Sequence, residues 1–102
     1  MPAVVILSES ALRDLRGIRD WYAEEGVPEV GARLVHEILA RLDPLRQNPD
    51  LGRIVPELEQ AFLRELIHPP FRIVYRRTPT RVRVVRVWRS ERLLRLPPDE
   101  AP

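Results

Sequence analysis

Apolar residues recur along this chain with two different periods, and the change of period divides it into a helical part and a stranded part. Val4 to Leu7 is a short run rich in β-branched residues and reads as a strand. Ser8 follows it with a side-chain oxygen suited to an N-cap. From Glu9 to Glu25 the apolar positions are Leu12, Leu15, Ile18 and Tyr22, with Ala11 and Trp21 beside them, which is helical spacing. Gly26 stops this helix, and Pro28 suits the first turn of a second one running roughly from Pro28 to Gln47. In the second helix Leu34, Ile38, Leu42 and Leu45 form a stripe that Val35 and Leu39 widen, and Pro44 interrupts it near its end. Two helices joined by a tight turn, each with one apolar face, predict a helical hairpin that needs a further layer to bury both stripes.

Beyond the turn signals Asn48-Pro49 and Leu51-Gly52 the period changes to two. Phe62 to Ile67, Phe71 to Arg77 and Arg81 to Trp88 read as three strands, separated by Pro69-Pro70 and by Thr78-Pro79-Thr80. Phe71, Ile73 and Tyr75 share one face of the middle strand, with Arg72 and Val74 on the other. Alternation fails at Val84-Val85 in the last strand, where a bulge would account for the break. The predicted fold is therefore α+β, in the order β-α-α-β-β-β, with the helical hairpin packed on an antiparallel-rich sheet whose other face stays solvated. A single domain over residues 1–96 is expected, with 97–102 as a frayed tail containing Pro97, Pro98 and two acids.

Composition narrows the chemistry. The 102 residues hold no cysteine, which removes disulfides, zinc–thiolate sites and a cysteine nucleophile and agrees with a cytoplasmic protein. All seventeen basic residues are arginine, so no lysine is present to act as a base or a phosphate clamp. Nothing in the sequence resembles a membrane span, and Met1 to Leu7 lacks the basic start of a signal peptide. Residues 1–60 hold seven arginines against eleven acids, net −4, while residues 61–102 hold ten against four, net +6. That asymmetry fits an acidic or nucleic-acid-facing partner for the second half, or a sheet with a charged outer face. His36 and His68 show no spacing with carboxylates that suggests a metal site. No metal or other cofactor is expected.

Four phrases, in order and on the predicted elements, carry a resemblance. They are Leu7-Ser8-Glu9-Ser10-Ala11-Leu12-Arg13-Asp14-Leu15 with Ile18-Arg19-Asp20-Trp21-Tyr22, then Asn48-Pro49-Asp50-Leu51-Gly52-Arg53. Leu63-Arg64-Glu65-Leu66 with Pro70-Phe71-Arg72-Ile73-Val74-Tyr75 follows, and Val85-Arg86-Val87-Trp88-Arg89-Ser90-Glu91-Arg92 ends the series. Together they span Val4 to Arg92, and the chain resembles the RelE/ParE superfamily of bacterial toxins from type II toxin–antitoxin systems. The resemblance implies a cognate antitoxin as partner, part of it packed along the helical hairpin and part able to pair with the sheet.

The superfamily implies two activities: cleavage of messenger RNA on the ribosome in the RelE-like branch, and inhibition of DNA gyrase, a plasmid-stabilising function, in the ParE-like branch. Cleavage through a 2′-hydroxyl requires a proton acceptor, a cation at the phosphorane and a proton donor. Arg72 matches the family arginine, Arg64 on the preceding strand is a candidate neighbour, and Glu91 is the nearby carboxylate. These three are the catalytic candidates if the chain is a ribonuclease. No Tyr or His follows Tyr75, and arginine is a poor general base. The ParE-like branch is therefore favoured, without catalytic residues and with Arg64, Arg72, Arg89, Arg92 and Trp88 as target-binding candidates. The alternatives are the ribosome-dependent endoribonuclease and a non-toxic relative that retains antitoxin binding. Pairing of Arg72 with Glu65 or Glu91 is the structural alternative for that arginine, Trp21 and Tyr22 are expected to pack, and Arg76, Arg77, Arg81 and Arg83 are expected on a solvated edge.

Overall fold

The computed structural model describes residues 2–90, 96 and 100. Its elements are β1 (Val4–Leu7), α1 (Glu9–Glu24), α2 (Pro28–Ala40), a 3-10 turn (Asp43–Arg46), β2 (Arg53–Ile54), β3 (Leu63–His68), β4 (Phe71–Arg77) and β5 (Arg81–Arg89). The two helices cover one face of a five-stranded sheet in the order β1-β5-β4-β3-β2. β1 runs parallel to β5, and the other three pairings are antiparallel. The α+β class and the order of the principal elements agree with the expectation; the two-residue β2 is an addition.

Local chemistry explains the boundaries. The Ser8 hydroxyl accepts the Ala11 N–H at 3.0 Å and donates to the Val85 carbonyl at 3.1 Å, so it caps α1 and ties it to β5. Ser8→Ala is expected to cost about 1–2 kcal/mol in urea denaturation, because a buried cap and a carbonyl partner are lost together. Gly26, at φ +81°, ends the first helical segment. α2 stops at Ala40, earlier than expected, because the ring of Pro44 would collide with the Ala40 carbonyl four residues back. The chain continues as the 3-10 turn with Pro44 in its first positions.

The main core lies between helices and sheet, where Leu15, Ile18, Leu34 and Ile38 meet Ile73, Tyr75, Val82, Val84 and Val87. Val74 pairs with Arg86 and Tyr75 with Val84, which leaves Val85 without a partner opposite it. This is the bulge that the failed alternation at Val84-Val85 indicated. Val85 faces the other side, where it joins Leu63, Val74 and Val55 in a second, smaller core, and the extra residue brings Val87, opposite Ile73, back to the main core. The solvated outer face expected from the sequence is thus partly covered. Its strands carry apolar side chains outward, and Val55, Leu58 and Phe62, from the segment before β3, pack over them.

The expected solvated edge is also modified. Arg83 Nε donates to the Glu100 carboxylate at 2.5 Å and Arg76 to the Glu100 carbonyl at 3.2 Å, while Arg77 lies 3.0 Å from Asp50. Glu100 is buried, so this point of the expected frayed tail is anchored to the sheet. The rest of 97–102 lies outside the described residues.

Candidate functional site

Three places on the fold are candidates for a functional site. The first surrounds Arg72 on the outer face. Alternation puts Glu65 on the outer face of β3, and Arg72 reaches it from β4. Arg72 Nε donates to Glu65 Oε1 at 2.7 Å, and Nη2 lies 2.6 Å from the same oxygen. The guanidinium also donates to both oxygens of Glu57, at 2.7 and 2.9 Å. Glu65, whose side chain is fully buried, holds Arg53 through its second oxygen, at 2.7 and 2.6 Å. Arg72 itself is only 5% exposed. The hydrogen bond to Glu57 raises its pKa above the ordinary arginine value; burial opposes the rise, and Glu65 adds to it. Its guanidinium is thus a fixed cation enclosed by two carboxylates of its own chain. The pairing with Glu65 weighed from sequence is present; Glu91 lies outside the described residues.

Arg64 does not join this cluster. It lies opposite Tyr75, whereas Arg72 lies opposite Ile67, three residues further along β3, so alternation sends Arg64 to the other face. There it donates to the carbonyls of Ala61, Asp50 and Gly52 at 3.0, 3.3 and 3.1 Å and lies 3.3 Å from the Asp50 carboxylate. Tyr75 fastens the same loop: its hydroxyl donates to Pro49 O at 2.7 Å and accepts the Gly52 N–H at 2.8 Å. Burial raises the Tyr75 pKa, which keeps this donor protonated.

The second place is a cavity of about 390 Å³ between α1 and the last residues of β5, past the end of β1. Trp88 and Arg89 line it, joined by Arg13, Trp21 and Tyr22 from α1 and Phe71 from β4. Asp14 closes its floor, accepting both Arg86 Nε and Nη2 at 2.8 Å and the Val87 N–H at 2.9 Å. The Arg86 guanidinium lies 4.5 Å from the Trp88 ring centroid, and that of Arg89 lies 5.8 Å from the Phe71 centroid. Tyr22 packs on the main core as expected. Trp21 departs from expectation: it is 51% exposed and meets the Tyr22 ring edge-on at 4.8 Å. Its neighbour in sequence occupies the buried side of the helix, so the larger ring is left at the rim.

The third place is the outer side of the helical hairpin. Leu12 and Leu39 stay partly exposed there, and with Leu7, Leu15 and Val35 they form a groove of about 190 Å³ bordered by Arg16 and Arg19. A neighbouring groove of about 200 Å³, lined by Val5, Leu42 and Arg46 among others, continues it along β1.

His68 is the other polar anchor of note. Its Nε2 lies 3.1 Å from Glu37 Oε1 and its Nδ1 3.4 Å from Arg41, joining α2 to the β3–β4 turn. The described residues hold no group of acids and histidines that could bind a metal ion. Among them no helix is long and apolar enough to cross a membrane.

Over residues 5–94 the chain matches the family model described as the ParE toxin of the type II toxin–antitoxin system parDE. The chain belongs to the ParE toxin family. The match spans the outer-face cluster, the α1–β5 cavity and the hairpin grooves alike. The fold is similar to a chain of the chromosomal ParDE toxin–antitoxin system from P. aeruginosa, with a TM-score of 0.73 and 26% identity over 87% of this chain and 97% of that one. It also resembles a chain of the RelBE2 toxin–antitoxin complex from Mycobacterium tuberculosis, with a TM-score of 0.59 and 23% identity over 87% and 99%. No curated protein matches the sequence.

Of the residues singled out from sequence, Trp88 and Arg89 share one cavity, Arg72 and Arg64 are on opposite faces, and Glu91 and Arg92 lie outside the described residues. Sequence reasoning missed Glu57 and Arg53 as partners in the Arg72 cluster and Asp14 as the clamp on β5. Glu57 belongs to a segment with no period to read. Asp14 was visible only as a polar residue between the apolar positions Leu12 and Leu15 of a helix.

Proposed function

We propose that this ParE family member inhibits DNA gyrase in the cytoplasm and is neutralised by a cognate antitoxin. The observation that carries the gyrase reading over RNA cleavage is the enclosure of Arg72 by Glu57 and Glu65. A nuclease needs its cation open to the scissile phosphate. A phosphate brought to Arg72 would meet two carboxylates already holding the guanidinium, and like charges at that range repel. No Tyr or His follows Tyr75 in the sequence either, which leaves Glu91 as the one nearby carboxylate for proton transfer and no acid–base pair. The toxin therefore acts without bond-making chemistry of its own. It binds the DNA-cleaved state of gyrase more tightly than the resting state and shifts the enzyme toward it. Trp88, Arg89 and Arg92 are the target-contacting candidates that remain, because Arg64 and Arg72 serve internal contacts.

The hairpin groove supplies the antitoxin site. Its apolar floor and its border of Arg16 and Arg19 fit an amphipathic segment with acidic flanks, bound as a helix in a groove.

Induced expression followed by pulse labelling tests the target. DNA synthesis is expected to stop before protein synthesis, with filamentous cells, and purified gyrase is expected to accumulate cleaved DNA when the toxin is added. Arrest of translation first would replace gyrase with the ribosome and its messenger RNA, and would make Arg72, Arg64 and Glu91 the residues to mutate. Arrest of neither, with antitoxin binding retained, would identify a non-toxic relative.

A further inference from the structure

The cavity between α1 and β5 is walled by aromatic side chains, of which Phe71 and Tyr22 belong to the main core and Trp88 packs on the second, while Trp21 is exposed. Both tryptophans of the chain line it, together with Tyr22 and Phe71. Trp21 and Arg13 are exposed at its rim, a little over two helical turns apart on the same helix. Its volume of about 390 Å³ falls within the ~300–1,000 Å³ of small-ligand sites. Among the described residues its one lining acid is Asp14, which is bound by Arg86 and by the Val87 N–H. That carboxylate's charge is offset within the site, so it offers little opposition to an anion entering beside Arg13.

Aromatic faces next to guanidinium groups are the chemistry by which proteins hold unpaired nucleotides: a base stacks on a ring and its phosphate meets a cation. We propose that this cavity binds one nucleotide unit, with the base against the exposed indole ring of Trp21 and the phosphate at Arg13. A duplex does not fit this description, because its bases are stacked on one another and have no face to offer. An acidic peptide would satisfy Arg13 but would leave the aromatic faces without a planar partner. The two sources of the chemistry are a free nucleotide and an unpaired stretch of DNA. The inference is independent of the gyrase reading, since binding requires neither gyrase nor the ribosome.

The chain carries its own reporter, because both of its tryptophans lie in the cavity. Intrinsic fluorescence of the full-length toxin, freed of antitoxin, is titrated with an oligothymidylate about twelve nucleotides long and separately with thymidine monophosphate. Saturable quenching is expected, weakening with salt at a slope of about −0.7 for each phosphate held. Trp21→Ala and Arg13→Ala, both at exposed positions, are each expected to weaken binding about tenfold with unchanged circular dichroism. Tighter binding of the oligomer supports the site and identifies a strand as the ligand; equal binding of the monophosphate supports the site and identifies a free nucleotide. Absence of saturable quenching by both ligands would overturn the proposal. So would equal binding of a duplex or of an oligoglutamate of the same length, or wild-type affinity in both variants.

Discussion

Arg72→Met is expected to destabilise the fold by about 3 kcal/mol, and any loss of toxicity it causes is expected to follow from that. The substitution leaves Glu65 buried with one of its two cationic partners gone and releases Glu57 from its paired hydrogen bonds. Removing one member of a buried ion pair costs roughly 3–5 kcal/mol, far more than the pair's net contribution, because the remaining charge stays desolvated. The lower end applies here because Arg53 continues to hold the second oxygen of Glu65. For a domain of this size that is a fall of roughly 10–20 °C in Tm. Glu57→Gln is the companion variant: its amide oxygen still accepts from Arg72, Glu65 stays paired, and a cost of about 1 kcal/mol is expected. Urea denaturation of the two variants against the wild type measures both effects. If Arg72→Met kept full stability while toxicity vanished, the arginine would be a target-binding or catalytic group rather than a strut.

The contrast between Arg72 and Val85 indicates which parts of this protein are legible in its sequence. The bulge is announced by parity: Arg81 and Arg83 hold the odd positions of the strand and then Val85 and Val87 do, so the failure of alternation is itself the signal. The helices are legible for the same reason: Leu15, Ile18, Leu34 and Ile38 repeat with the period of the structure that buries them. Arg72 has no such signal. Its position on the outer face was readable, but whether that face met solvent or carboxylates depended on where the segment before β3 folded back. That segment places Glu57 over the sheet through Val55, Leu58 and Phe62, a set with no regular spacing. The same limit applies to Arg64, placed near Arg72 by its adjacent strand but put on the opposite face by the register. Trp21 and Tyr22 read alike as helix aromatics, yet only Tyr22 joined the core. Periodicity gives a face, and register and loop path decide what that face meets.

Gly52 carries the second large expectation. A Cβ at this position would lie 2.6 Å from the Glu65 carbonyl oxygen and 2.9 Å from both the Glu65 carbonyl carbon and the Tyr75 ring. Two of these three are backbone atoms of β3, which cannot rotate away, and the third belongs to a fully buried ring held at its hydroxyl by the Gly52 N–H and the Pro49 carbonyl. Gly52→Ala must therefore push the 49–52 loop off the sheet. That movement strains the Tyr75 hydrogen bonds, the Arg64 contacts to the loop carbonyls and the pairing of Arg53 with Glu65. Overpacking of this kind costs about 1–3 kcal/mol, and the rigid partners place the expected value at about 3. Gly17 is the internal control: it is within α1 with nothing inside 4 Å of its added Cβ, so Gly17→Ala is expected to stabilise by about 0.5–1 kcal/mol. Denaturation midpoints moving in opposite directions for the same substitution would show that close approach of the loop to β3 sets the cost at Gly52. Equal stabilisation of both variants would mean that the loop can lift from β3 freely, and the staple formed by Tyr75 and Arg64 would lose its assigned role.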